Sequence, residues 1–134
     1  MKNILILDNN KYILDTLSSS MCNYLKDCAI TTAVNSEKAA DALRSVPVDL
    51  ILTDLDMPVA KGFEFIEHAK KNYPSVPVCV MTGECAPSVI SRLKLLGVRR
   101  YIQKPFQFDK LAGIIAEELG LKYPASSLSD ATQA

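Results

Sequence analysis

The sequence predicts a single doubly wound α/β domain with a five-stranded parallel sheet covered by helices on both faces. Three observations lead there. Short apolar runs such as Ile4-Leu5-Ile6-Leu7, Leu50-Ile51-Leu52 and Val78-Cys79-Val80-Met81 are continuous rather than alternating, as in strands buried on both sides. Between them lie segments whose apolar residues recur every three or four positions, the period of an amphipathic helix. Strand and helix patterns alternate five times, as right-handed βαβ crossovers require.

The first strand is Ile4 to Leu7, ended by Asp8. A helix follows with Ile13, Leu14, Leu17, Met21 and Leu25 at helical spacing, and Asn9 or Asn10 is available to cap it. Cys28 to Val34 forms the second strand. Asn35 or Ser36 opens a short helix with Ala39, Ala40 and Leu43 on its apolar side, and Pro47 closes the unit. The third strand, Leu50 to Thr53, runs into Asp54-Leu55-Asp56-Met57-Pro58, and Gly62 permits a turn before a helix carrying Phe63, Phe65, Ile66 and Ala69. Pro74 and Pro77 bracket the next loop. Val78 to Met81 is the fourth strand, ended by Thr82, and its helix presents Val89, Ile90, Leu93 and Leu96 before Gly97. Arg99 to Gln103 is the fifth strand, ended by Lys104. The last helix begins after Phe106, turns Leu111, Ile114, Ile115 and Leu119 inward and closes at Gly120. Residues 1–121 are read as the domain. Residues 122–134 lack an amphipathic period and are read as a flexible tail, with no second domain.

Composition bounds the function. The 134 residues are 49% hydrophobic and 22% charged, with 15 acidic and 15 basic side chains in balance. No basic stripe points to nucleic acid, and no apolar stretch approaches a membrane span. Met1-Lys2-Asn3 leads into a four-residue apolar run, too short for a secretion signal, so the expected address is the cytoplasm. Cys22, Cys28, Cys79 and Cys85 lack metal-ligand spacing and are expected to be free thiols. His68, alone on a helix, is expected to be solvated, as are Arg99 and Arg100, whereas Phe106 and Phe108 are expected to pack on or near the core.

The chemistry lies in how the strands end. Open parallel sheets bind ligands outside the carboxyl ends of their strands. Asp8, Asp54, Thr82 and Lys104 each follow an apolar run, so four separate stretches deliver two carboxylates, a hydroxyl and an ammonium to one crevice. One strand-end Asp is most often a turn former; four such polar ends in one chain point to a site. A carboxylate such as Asp54 can attack phosphorus and form an acyl phosphate. The transferred group then needs neutralisation of its equatorial oxygens. Mg2+ held by Asp8 and Asp54, with a backbone carbonyl near Asp56, suits that task. Lys104 adds a point charge, and the Thr82 hydroxyl a donor.

These residues carry a resemblance. Asp8 after the first strand, Asp54-x-x-Met57-Pro58-x-x-x-Gly62, Thr82 and Lys104-Pro105-Phe106 closely resemble the receiver domain of two-component response regulators, a CheY-like, flavodoxin-like family, over residues 2 to about 120. The resemblance implies a strand order of 2-1-3-4-5 and phosphorylation of Asp54 by a sensor histidine kinase or a histidine phosphotransfer protein. It implies autodephosphorylation rather than turnover of a separate substrate. Thr82 and Tyr101 would be a switch pair that remodels the surface of the fourth helix, fifth strand and fifth helix for a downstream protein or a phosphorylation-dependent homodimer. It also implies a cis Lys104-Pro105 bond, and that Asp56 and Glu84 tune dephosphorylation.

One position departs from the pattern. The family normally has two acids after the first strand, the second ligating Mg2+ directly; here they are Asp8-Asn9. An amide oxygen still binds a hard cation but brings no charge, so weaker Mg2+ binding is expected, with Asp56 available to restore charge. The alternative reading is a pseudo-receiver, an interaction module working without phosphate. An Asp-x-Asp phosphatase of the haloacid dehalogenase type fits less well, because that motif belongs on a first strand and is not followed by proline.

Overall fold

The computed structural model describes residues 1–83 and 85–122. Five strands and five helices alternate: β1 (Lys2–Leu7), α1 (Lys11–Tyr24), β2 (Cys28–Ala33), α2 (Ser36–Ser45), β3 (Leu50–Asp54), α3 (Val59–Asn72), β4 (Val78–Thr82), α4 (Pro87–Leu95), β5 (Arg100–Gln103) and α5 (Phe108–Leu119). All strand pairs are parallel and the sheet order is β2-β1-β3-β4-β5. The doubly wound class and the order implied by the resemblance are therefore both observed. The expected tail beyond Lys122, and Glu84, lie outside the described residues.

Side chains alternate across each strand, and the two faces build two cores. Ile4 and Ile6, Leu50 and Leu52, and Cys79 and Met81 pack with Leu14, Leu17 and Met21 of α1 and Leu111 and Ile115 of α5. Leu5 and Leu7, Ile51, Val78 and Val80 pack with Ala39 and Leu43 of α2, Phe63 and Ile66 of α3 and Leu93 of α4. This is why the apolar runs are continuous: every position of Ile4–Leu7, Leu50–Leu52 and Val78–Met81 is buried. Phe106 and Phe108 form an edge-on pair against the first core, with ring centroids 6.2 Å apart, as expected. Ile13, expected to face inward, is instead exposed, one position off the α1 stripe set by Leu14, Leu17 and Met21.

The caps settle which asparagine does what. The Asn10 side chain accepts from the Tyr12 and Ile13 amides and starts α1, leaving Asn9 exposed in the loop above the sheet. Asn35 caps α2 through the Lys38 amide. Gly62 does not form a turn, as the sequence suggested; it lies inside the first turns of α3, buried. A Cβ there would come within 2.3 Å of the Leu55 carbonyl oxygen, so only glycine lets α3 pack against the chain leaving β3. Gly62→Ala is expected to lower stability by roughly 1–3 kcal/mol, because the backbone clash outweighs alanine's better helix propensity. A lower urea midpoint at unchanged slope checks this.

Arg99 is solvated, as expected, with an exposed side chain that reaches Glu118 at 3.3 Å. Arg100 is not: it is half-buried and pairs with Glu118 at 3.2 Å and with Glu117, tying β5 to α5. The four cysteines are free, as expected, and burial pushes the Cys79 thiol up to about 12, leaving it inert. Among the described residues no helix is long and apolar enough to cross a membrane.

Candidate functional site

Strand parity aims the polar ends of the sheet. Asp8, Asp54 and Lys104 continue the even-numbered rows of β1, β3 and β5, the side that carries Ile6, Leu52 and Ile102 into the α1–α5 core. Thr82 continues the opposite row of β4, with Val78 and Val80. Asp8, Asp54 and Thr82 are all buried, at 1%, 3% and 0% exposure, which makes them costly unless each has a partner or a purpose.

Lys104 Nζ donates to Asp54 Oδ1 at 2.9 Å, and the Asp56 amide donates to the same oxygen at 3.0 Å. Both recorded donors to Asp54 therefore use Oδ1, and Oδ2 is left for other chemistry. Lys104 reaches the site because its own amide bonds the Thr82 carbonyl at 2.9 Å, extending the β4–β5 ladder. The Lys104-Pro105 bond is cis, as implied by the resemblance; Met57-Pro58 is also cis, which nothing in the sequence reading anticipated.

Asp8 is the least satisfied group. Its Oδ1 accepts from the Asn10 amide at 2.9 Å, while its Oδ2 is buried with no hydrogen-bond partner. Burial pushes the Asp8 carboxyl above its ordinary range, the Asn10 amide opposes that rise, and the neighbouring charge of Asp54 adds to it while Lys104 offsets it. An orphaned buried carboxylate oxygen near a second carboxylate suits a hard cation, which prefers oxygen and keeps much of its water. The unpartnered Asp8 oxygen and the neighbouring Asp54 carboxylate fit Mg2+, which needs only one or two carboxylates.

The Asp56 carboxylate, expected to be available to restore charge, is bonded to the end of β4, and its charge acts on Asp8. Thr82 Oγ1 donates to Asp56 Oδ1 at 3.0 Å and the Gly83 amide donates to Oδ2 at 2.9 Å. A partner 26 residues along the chain is invisible to local pattern. Tyr101 is 42% exposed on β5. His68 is exposed and bonded to Asn72 within α3, as a solvated helix residue should be.

A family model for the response regulator receiver domain matches residues 4–116. The chain is 27% identical to the transcriptional regulatory protein FixJ of Bradyrhizobium diazoefficiens over 127 residues, covering 92% of this chain and 59% of that one. It is 30% identical to the DNA-binding transcriptional regulator NtrC of Rhizobium meliloti over 134 residues, covering 97% of this chain but 27% of the relative. It thus spans under two thirds of either. Among solved structures, chemotaxis protein CheY4 of Vibrio cholerae superposes with a TM-score of 0.81 at 25% identity, over 89% of this chain and 99% of that one.

Proposed function

Since the chain belongs to the response regulator receiver domain family, we propose that it is a phosphorylation switch in which Asp54 accepts a phosphoryl group from a phosphohistidine. Asp54 Oδ2 attacks phosphorus, the bond from phosphorus to the imidazole nitrogen breaks, and its electron pair returns to the ring. The donor is a sensor histidine kinase or a histidine phosphotransfer protein. The observation that carries this reading is the 2.9 Å contact of Lys104 Nζ with Asp54 Oδ1, beside the unpartnered Asp8 Oδ2. A cation and a cation-seeking carboxylate flank one buried acceptor.

Lys104 fixes the acceptor oxygen that does not attack and meets charge on the transferred group. Asp8 and Asp54, with the Asn9 amide oxygen and the Asp56 carbonyl, would hold Mg2+. When bound, Mg2+ neutralises charge on the phosphoryl oxygens. With Asn9 in place of an acid, its binding is weak. Thr82 and Tyr101 form the switch pair, and the α4-β5-α5 surface meets the downstream protein or a second copy. Asp56 and Glu84 set the rate at which water removes the group. The protein turns over no substrate beyond its own acyl phosphate.

Incubation with acetyl phosphate and Mg2+, followed by intact-mass measurement, tests the reading. The wild type is expected to gain one phosphoryl group and Asp54→Ala none. Asn9 favours a second reading, a module that binds its partner without phosphate; a wild-type mass that never moves would select it.

A further inference from the structure

The unphosphorylated site already contains an anion. The two oxygens of Asp56 are taken by two donors from consecutive residues at the end of β4, the Thr82 hydroxyl at 3.0 Å and the Gly83 amide at 2.9 Å. The same residue's amide is bonded to Asp54 Oδ1 at 3.0 Å. Asp56 thus spans the site, its backbone on the acceptor carboxylate and its side chain on the loop beyond β4. A carboxylate gripped by a hydroxyl and an amide uses two oxygens much as a phosphoryl group would. The burial of Thr82 keeps water from competing for its hydroxyl.

We propose that the Asp56 carboxylate is a resident competitor, occupying the Thr82–Gly83 donor pair that a phosphoryl group on Asp54 would engage, so that phosphorylation throws the switch by evicting it. The inference rests on Asp54 being the phosphoacceptor. It makes Asp56 a positioning residue that acts through Thr82 and Gly83. A phosphoryl group on Asp54 brings more negative charge than Asp56 carries, beside the same two donors. Like charges that close cannot share them, and the weaker anion leaves. Thr82 and Gly83 then follow the phosphoryl oxygens, and α4, which begins at Pro87, inherits the movement. The competitor sets a threshold: it weakens capture of the phosphoryl group and holds the resting loop in one place.

Two substitutions isolate this role. Asp56→Ala removes both acceptor oxygens and the charge; Asp56→Asn removes the charge and keeps the size. Neither touches the Asp56 carbonyl or amide. His68→Ala serves as a control, because this exposed side chain bonds Asn72 within α3 and lies outside the site. Each full-length protein is titrated with beryllofluoride, a stable mimic of the phosphoryl group, at fixed saturating Mg2+, and Gly83 is followed by its amide resonance. Asp56→Ala and Asp56→Asn are expected to bind beryllofluoride about tenfold more tightly than wild type, the weight of one charge-assisted hydrogen bond. His68→Ala is expected to match wild type. Before any ligand is added, the Gly83 amide of both Asp56 variants should already have moved from its wild-type position. A merely structural role for Asp56 would not tighten binding. Affinities unchanged within about twofold, or weakened, would overturn the proposal, as would a Gly83 resonance indifferent to Asp56. If wild type gains phosphoryl mass from acetyl phosphate while the variants behave like it, only the competitor role falls. If no protein binds beryllofluoride and wild type gains no mass, the phosphoacceptor reading has failed and takes this one with it.

Discussion

Replacing Lys104 with alanine is expected to slow transfer of a phosphoryl group onto Asp54 by roughly 10²–10³-fold while leaving the protein folded. The ammonium is the one cationic partner of the Asp54 carboxylate among the described hydrogen bonds, 2.9 Å from Oδ1. It sits where charge builds as the phosphoryl group arrives, and it is already in place, so no reorganisation is needed at that moment. The fold survives because the position is held by main-chain contacts. The Lys104 amide bonds the Thr82 carbonyl, and Phe106 and Phe108 pack against the core on the following loop. Lys104→Arg is expected to recover little. A planar guanidinium is wider than an ammonium and does not enter a slot shaped for a point charge. The measurement is the initial rate of mass gain with acetyl phosphate at saturating Mg2+. A variant as fast as wild type would reduce Lys104 to a structural counter-ion. The same substitution has a second consequence. Lys104 offsets the upward push on the Asp8 carboxyl, so its loss raises that group further.

How much of this was legible before the fold was known follows from what fixes each feature. Asp8, Asp54 and Lys104 could be read because each depends on one local fact, a polar residue at the end of a buried strand, and the sheet does the rest. Their convergence follows from parallel topology, which aligns the carboxyl ends of all strands. The direction of the Asp56 side chain could not be read. It depends on the Thr82 hydroxyl and the Gly83 amide, brought near by β3–β4 register and not by sequence spacing. A local view of Asp54-Leu55-Asp56 offered a backbone carbonyl and a nearby charge at the second Asp, but not where its carboxylate is bonded. Gly62 was misplaced for a related reason. Glycine signals either a turn or a close approach, and the close approach here is to Leu55, which only the packing of α3 reveals. Arg100 looked solvated because its partners, Glu117 and Glu118, lie at the far end of α5. The choice between Asn9 and Asn10 as cap turned on one residue of register. It matters, because it decides which of the two is left beside the site.

Asp8→Asn is expected to stabilise the cation-free protein at pH values above the titration of Asp8 and to abolish its stabilisation by Mg2+. The sign follows from proton linkage. The Asp8 carboxyl is raised above its ordinary value of 3.8, chiefly by burial, so the native state keeps this proton to higher pH than the unfolded chain does. Where the native state binds more protons, stability falls as pH rises. The fall begins near the ordinary carboxyl value and is complete above the raised one, where an ionised Asp8 costs the full amount. An asparagine removes that cost: its Oδ1 still accepts the Asn10 amide, and no charge is left for Asp54 to repel. A gain of about 1 kcal/mol, from removing a carboxylate charge that burial disfavours, raises the melting temperature by roughly 3–5 °C in a domain of this size. Below the ordinary carboxyl value the two proteins should melt together, and the gap should open with rising pH. Mg2+ reverses the order. A ligand at 100 times its Kd adds about 2.7 kcal/mol to the state that binds it; wild type gains this increment and Asp8→Asn does not. Melting curves for both proteins across pH, with and without Mg2+, should therefore cross. Parallel curves would mean that the buried oxygen of Asp8 serves the fold rather than a cation, and that the charge balance of the site is kept by Asp54 and Lys104 alone.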